Sequence, residues 1–305
     1  MSSGGTADWI AADWGTSNLR LWAMRGTDVT EMRVSDRGMA AMGGPDDFSD
    51  ELARMTEGWP VVPVVACGMV GARQGWMEVA YRAVPCPAVP ELTAVPGNPG
   101  GRPVLIAGGV MQATPPDVMR GEETQIAGVL SAHPDFDGVI CLPGTHTKWV
   151  RISAGEICHF QTVMTGEIFG LLAKQSVLRF SLNGAENTGA QQQSDAFRDS
   201  VATALSQPHL AWARLFQLRA AGLVGQADTA ETEARLSGTL IGLDLGAARA
   251  HWLGQQVLII GASRLAALYE AALLEQGVQP VIGDVDAATR AGLWAAWQAY
   301  RGQTE

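Results

Sequence analysis

A three-strand pattern opens this chain and returns in its middle. Strand-like runs at Trp9–Asp13, Leu19–Met24 and Val29–Val34 are joined at Gly15-Thr16-Ser17-Asn18 and Gly26-Thr27-Asp28. The same order recurs as Val139–Leu142, Lys148–Ile152 and Ile157–Val163, joined at Gly144-Thr145-His146-Thr147 and Gly155-Glu156. One ungapped shift lays Gly15 on Gly144, Thr16 on Thr145, Gly26 on Gly155 and Val34 on Val163. A duplicated meander predicts two domains of similar build facing a common cleft, each offering a glycine-containing hairpin. The 305 residues suffice for two such domains, expected at 1–133 and 134–305.

Between the repeats, residues 46–57 read as a helix, and Val61–Ala66 and Val104–Ala107 as strands buried on both faces. The Pro- and Gly-rich stretch 83–103 reads as loop. A helix from Gly121 ends at His133-Pro134, where proline withholds the next donor, and forms the expected hinge between the domains. Helices are expected over 165–182, 194–221 and 229–252, with a polar loop from Asn183 to Gln193. A strand Gln256–Ile260 turns at Gly261-Ala262-Ser263 into a helix reaching Gln276. After a strand at Pro280–Gly283, a last helix at about 286–301 is expected to cross back toward the first domain.

Charge excludes some partners. With 31 acidic against 21 basic residues, the net charge of −10 opposes general attraction to nucleic acid or to an anionic membrane. No apolar run reaches the ~20 residues that span a bilayer, no leader-like segment is evident, and Cys67, Cys86, Cys141 and Cys158 have no C-x-x-C spacing. A cytoplasmic protein with reduced thiols is expected, and its ten tryptophans make a homodimer plausible.

The duplicated turn carries the chemistry. Asp13-Trp14-Gly15-Thr16 lies at a strand end, where glycine lets backbone amides approach a phosphate, the hydroxyls of Thr16 and Ser17 add donors, and the Asp13 carboxylate can hold a hydrated divalent cation. The second turn keeps Gly144-Thr145 but has no aspartate. The pair predicts two turns clasping the terminal phosphates of a nucleotide. The five histidines, His146 included, are scattered without ligand spacing, which excludes a histidine metal centre. No G-x-x-x-x-G-K-[ST] run is present, so a P-loop is excluded.

Asp13-Trp14-Gly15-Thr16, the Gly144-Thr145 hairpin and the late strand-Gly261-Ala262-Ser263-helix resemble the two phosphate motifs and the adenosine motif of the actin/hexokinase/sugar-kinase superfamily. More narrowly, Asp13–Arg20, Gly68–Trp76, Asp117–Gln125, Leu142–Trp149 and Met164-Thr165-Gly166-Glu167 resemble the 2-dehydro-3-deoxygalactonokinase family, in order along nearly the whole chain. The resemblance implies an α/β fold of two actin/hexokinase-like (ribonuclease H-like) domains around an interdomain cleft. It further implies transfer from ATP, with Mg2+, to the 6-hydroxyl of 2-dehydro-3-deoxy-D-galactonate in galactonate catabolism.

In related sugar kinases a Gly-Asp block at the start of the linking helix supplies the catalytic carboxylate. Gly121-Glu122 has the corresponding place, with glutamate for aspartate. Glu122 and Glu123 point about 100° apart on a helix, so one alone can face the hydroxyl, and Glu122 is the expected base. Both also suit a helix N-terminus on dipole grounds. A keto acid needs a cation for its carboxylate. Arg73, in the glycine-rich loop after Cys67, is the first choice, then Arg37, with Arg20 and Arg82 weaker. Trp76 and Tyr81 either wall that pocket or pack. Thr147 joins the phosphate turn, and Lys148 either touches a phosphate or faces solvent by strand alternation. Two rival readings remain: a kinase of this fold for another sugar, sugar acid or anhydrosugar, and a non-enzymatic actin-like ATP switch.

Overall fold

The computed structural model describes residues 6–182 and 194–304, so the predicted loop Asn183–Gln193 lies outside the described residues. The chain divides into two compact units. The first comprises Met1–Phe136, Ser153–His159 and Val285–Glu305; the second comprises Asp137–Ile152 and Phe160–Asp284.

Numbering elements in chain order, the first unit contains strands β1 (Trp9–Trp14), β2 (Leu19–Arg25), β3 (Asp28–Ser35), β4 (Val64–Gly68), β5 (Tyr81–Ala83), β6 (Cys86–Pro87), β7 (Leu92–Ala94), β8 (Val104–Ala107), β9 (Gly109–Gln112) and β10 (Asp117–Met119). Its helices are α1 (Pro45–Met55), α2 (Glu122–Ala132) and α10 (Val285–Thr304). The main sheet runs β3-β2-β1-β4-β8-β7, and a smaller one runs β10-β9-β5. Strand β4 begins at Val64, later than the apolar run predicts, because Pro60 and Pro63 have no N–H to give a ladder. Alternation along β1 sends Ile10, Ala12 and Trp14 to the face covered by Phe48 and Leu52 of α1. Trp9 and Ala11 go to the opposite face, with Leu293 and Trp294 of α10. Burial on both sides explains why β1 is apolar throughout except at Asp13.

The second unit repeats this order. Strands β11 (Gly138–Leu142), β12 (Thr147–Ser153), β13 (Glu156–Val163), β14 (Val257–Ile260) and β15 (Val281–Gly283) lie in the sequence β15-β14-β11-β12-β13, and the start of β13, which belongs to the first unit, pairs with β6. In each unit the leading strand pairs antiparallel with the next one along the chain and parallel with a later one, β1 with β2 and β4, β11 with β12 and β14. The repeat read from the sequence is therefore a repeat of topology. The helices are α3 (Thr165–Gln175), α4 (Arg179–Leu182), α5 (Asp195–Ser206), α6 (Ala211–Leu223), α7 (Thr229–Ala247), α8 (Arg249–Trp252) and α9 (Ser263–Leu274). Three long predicted helices are thus broken. The first stops at Ser176, whose hydroxyl accepts from Leu178 N at 3.0 Å. The second is interrupted at Pro208, and the third at Ala248. Val139, Cys141, Val257 and Ile259 pack against Phe197 and Val201 of α5, Ile241 and Leu245 of α7, and Tyr269 of α9.

Candidate active site

In the first unit three strand and helix ends converge. The β1–β2 turn is pinned from behind: the N–H groups of Gly38, Met39 and Ala40 donate to the carbonyls of Ser17, Gly15 and Thr16 at 3.1, 2.9 and 2.9 Å. With those carbonyls occupied, the side chains of Thr16 and Ser17 stand exposed. Asp13 pairs with Arg20, which also pairs with Asp286 of α10. Beyond β4, Gly121 holds φ 106°, a conformation open to glycine, and a Cβ there would stand 3.3 Å from Gly68 Cα. The first turn of α2 therefore abuts the end of β4.

That turn has no capping side chain before it; its two glutamates fold back instead. Glu122 Oε2 accepts from Arg120 N at 3.0 Å, and Glu123 Oε2 accepts from Gly121 N at 2.7 Å. Glu123 also takes the Thr124 hydroxyl at 3.0 Å and is fully buried, whereas Glu122 is partly exposed. Burial, with the Glu122 charge adding to it, pushes the Glu123 carboxyl up to about 7.

Three of the four arginines expected to receive a carboxylate, all but Arg82, already have acidic partners. Arg73 is 80% exposed and pairs with Glu78 at 3.4 Å; Arg37 pairs with Glu51 at 3.7 Å. Arg20 is committed to Asp13 and Asp286, which makes it a strut of the β1–β2 turn. Trp76 is buried and stacked on Phe48, with an interplanar angle of 16°, so it packs in the core. Tyr81 is partly exposed and lies beneath the Arg120 guanidinium, 4.3 Å from its ring centre.

In the second unit, Gly144 and Thr145 line a cavity of about 410 Å3 together with Thr165 and Gly166 of α3 and Ala262. Gly166 packs directly on the turn: a Cβ there would stand 2.3 Å from the Gly144 carbonyl oxygen. The Glu167 N–H donates to Thr145 O at 2.8 Å. This end therefore offers a glycine turn and a helix N-terminus, the combination that receives anions. The other walls are mostly apolar, from Phe169, Leu240, Ile241, Leu265 and Leu268, with Ser237, Arg264 and Tyr269 among them. Gly261 approaches Pro143 O to 3.0 Å from its Cβ position, and Ser263 opens α9.

Thr147 and Lys148, read from sequence beside the second glycine turn, both have partners within the fold. Thr147 is buried, its hydroxyl 2.7 Å from that of Tyr269, because the first position of β12 alternates inward. Lys148 is buried and does not face solvent, and its Nζ donates to Thr162 at 2.8 Å. His146 is exposed and pairs with Glu167 at 2.5 Å.

Sequence reasoning passed over Asp244. This carboxylate of α7 is fully buried and accepts from Trp149 Nε1 at 2.7 Å and from the Thr165 and Tyr269 hydroxyls at 2.5 Å each. Burial raises its pKa against those three donors. It ties two side chains of the cavity wall, Thr165 and Tyr269, to β12. Only its place within an apolar helical run marked it in the sequence.

Two units with the same strand pairing, one with a cavity beside its repeated glycine turn, have the duplicated build expected of a kinase of the actin/hexokinase-like fold, and the family match makes it a sugar-acid kinase. The model of the 2-keto-3-deoxy-galactonokinase family matches residues 13–296, and the chain belongs to that family. It is 39% identical to a "Probable 2-dehydro-3-deoxygalactonokinase" of Rhizobium meliloti, over 96% of this chain and 98% of the other. It is 33% identical to the 2-dehydro-3-deoxygalactonokinase of Escherichia coli, over 94% and 97%. The crystal structure of a "putative 2-dehydro-3-deoxygalactonokinase protein" from Sinorhizobium meliloti superimposes with TM-score 0.86 at 37% identity, covering 96% of this chain and 99% of that one. The activator of 2-hydroxyisocaproyl-CoA dehydratase from Clostridium difficile, at 13% identity over 97% of this chain and 96% of that one, shares the fold with TM-score 0.54. No helix among the described residues is long and apolar enough to cross a membrane.

Proposed function

We propose that this protein transfers the γ-phosphate of ATP to the 6-hydroxyl of 2-dehydro-3-deoxy-D-galactonate, a step of galactonate catabolism. The observation that carries the reading is the cavity of the second unit, with a glycine turn at one end and mostly apolar walls beyond, on a chain of this family. Its volume of about 410 Å3 falls in the range of small-molecule sites. ATP would lay its phosphates on Gly144, Thr145 and the α3 N-terminus, and its adenosine near Leu240, Ile241, Leu265 and Ala262. The sugar acid would belong to the first unit, where the α2 glutamates are.

Phosphoryl transfer asks the protein for positioning, charge neutralisation and a carboxylate to receive the hydroxyl proton. Glu122 is our base. It is partly exposed, while Glu123 is closed off and occupied by two donors. Thr16 and Ser17 hydroxyls would add donors to the transferring group. Among the described residues no three His, Cys, Asp or Glu side chains group as a metal cage. Asp13, one of whose oxygens is taken by Arg20, fits a hydrated Mg2+ whose remaining ligands are water and phosphate oxygens. Magnesium bound there would neutralise phosphate charge.

The test is acceptor-dependent release of ADP from ATP, measured with the galactonate-derived keto acid, its gluconate-derived epimer and a panel of neutral sugars. Rapid turnover of the first supports the reading. Preference for a neutral sugar, or nucleotide-driven polymerisation with no acceptor-dependent ADP, would replace it.

A further inference from the structure

A carboxylated substrate requires a cation whose donors are available, and Arg73, Arg37 and Arg20 are engaged with acids. Among the described residues, buried guanidinium nitrogens without an acceptor occur at Arg82, Arg102 and Arg120. Arg102 lines a separate cavity with Trp59 and Pro99. Arg82 lies across β9 from Met119, since both pair with Val110, and so faces the side of the small sheet opposite to Arg120.

Arg120 is different in place and in packing. It immediately precedes Gly121-Glu122, and its own N–H holds the Glu122 carboxylate at 3.0 Å. The side chain is 9% exposed. Nη2 donates to Val79 O at 2.7 Å, whereas Nε and Nη1 have no acceptor. Two glycines clear its space: a Cβ on Gly71 would meet Nη1 at 2.9 Å, and one on Gly109 would meet the Tyr81 ring at 2.7 Å. Leaving a buried, charged donor unsatisfied is costly, and the aromatic face of Tyr81 offsets part of that cost without accepting a directed bond. Tyr81 is 36% exposed, so its ring can turn outward without disturbing the core.

We infer that Arg120 is the specificity-determining arginine, receiving the C1 carboxylate of the keto acid at its unsatisfied Nη1 once the Tyr81 ring moves aside. This rests on the sugar-acid kinase reading and names the residue by which that site selects acids over neutral sugars. The geometry also explains why the arginine stands next to the base: one short segment, Arg120-Gly121-Glu122, grips the acid end of the substrate and addresses its hydroxyl end.

The experiment compares the keto acid with the same sugar reduced to an alcohol at C1, measuring calorimetric binding and turnover in wild type, Arg120→Gln, Arg120→Lys and Arg82→Gln. Arg120→Gln should weaken acid binding by roughly 10- to 100-fold and raise its KM to match, leaving KM for ATP and the alcohol's affinity unchanged. Arg120→Lys should lose less, and it carries the comparison if the glutamine variant does not fold. Unchanged acid affinity, equal losses for acid and alcohol, or loss of selectivity in Arg82→Gln would each overturn the assignment. Wild type that binds the acid without phosphorylating it would refute the kinase reading and leave the assignment to the binding data.

Discussion

Gly128 of α2 and Gly292 of α10 face each other with their backbones in contact. A Cβ on Gly128 would stand 1.9 Å from Ala288 O and 2.9 Å from Gly292 N; one on Gly292 would stand 1.8 Å from Thr124 O. Neither obstacle is a flexible side chain, so the helices must separate to admit a methyl group. We expect Gly128→Ala and Gly292→Ala each to lose about 1–3 kcal/mol of stability, as overpacking does. Because α2 begins with the glutamates, kcat should fall as well. Urea denaturation beside steady-state assays checks this, and a variant as stable and active as wild type would contradict it.

Glu122→Gln should fold and bind ATP normally while losing roughly 10²- to 10⁴-fold in kcat, the usual weight of a general base. Glu123→Gln should lose much less. Its amide can accept from Gly121 N and donate to the Thr124 hydroxyl, so the local bonds survive. The reverse ranking would move the base to Glu123.

The raised pKa of Glu123 makes stability depend on pH. Native Glu123 keeps its proton up to about 7, while the unfolded chain releases it near the ordinary 4.5. Its contribution is therefore complete below pH 4.5 and is lost as pH rises through about 7, by at most on the order of 3 kcal/mol. Denaturation at pH 5 and pH 8 should show wild type weakening across this window more than Glu123→Gln. Identical slopes would remove the effect.

Asp244→Ala should strand three buried donors and cost about 3 kcal/mol or more. Asp244→Asn, with one acceptor oxygen, should recover part of this. Both should raise KM for ATP, because Thr165 and Tyr269 line the cavity. Thermal melts and ATP titrations decide it, and a loss below about 1 kcal/mol would show the network to be dispensable.

What the sequence made legible was local. The duplicated hairpins were visible because alternation, turn glycines and strand length are all set within a few residues, and the shared register of Gly15 and Gly144 survived into matching sheet orders. The burial of both Thr147 and Lys148, on opposite faces of β12, was not, since it depends on what covers each face of the sheet. Asp244 meets Thr165 and Trp149 across 79 and 95 positions, and Arg20 meets Asp286 across 266. Such pairings leave no trace in spacing. The orphaned donors of Arg120 were further out of reach, because a missing partner is a property of the packed site alone.

Helix α10 belongs to the first unit but follows every residue of the second along the chain. During synthesis the second unit can emerge and fold while the Trp9, Trp22 and Met24 face of the first still lacks Leu293. Maturation thus runs against the order of translation: the half that begins first is finished last. A nascent chain halted before residue 285 would carry an uncovered apolar face for chaperones to guard.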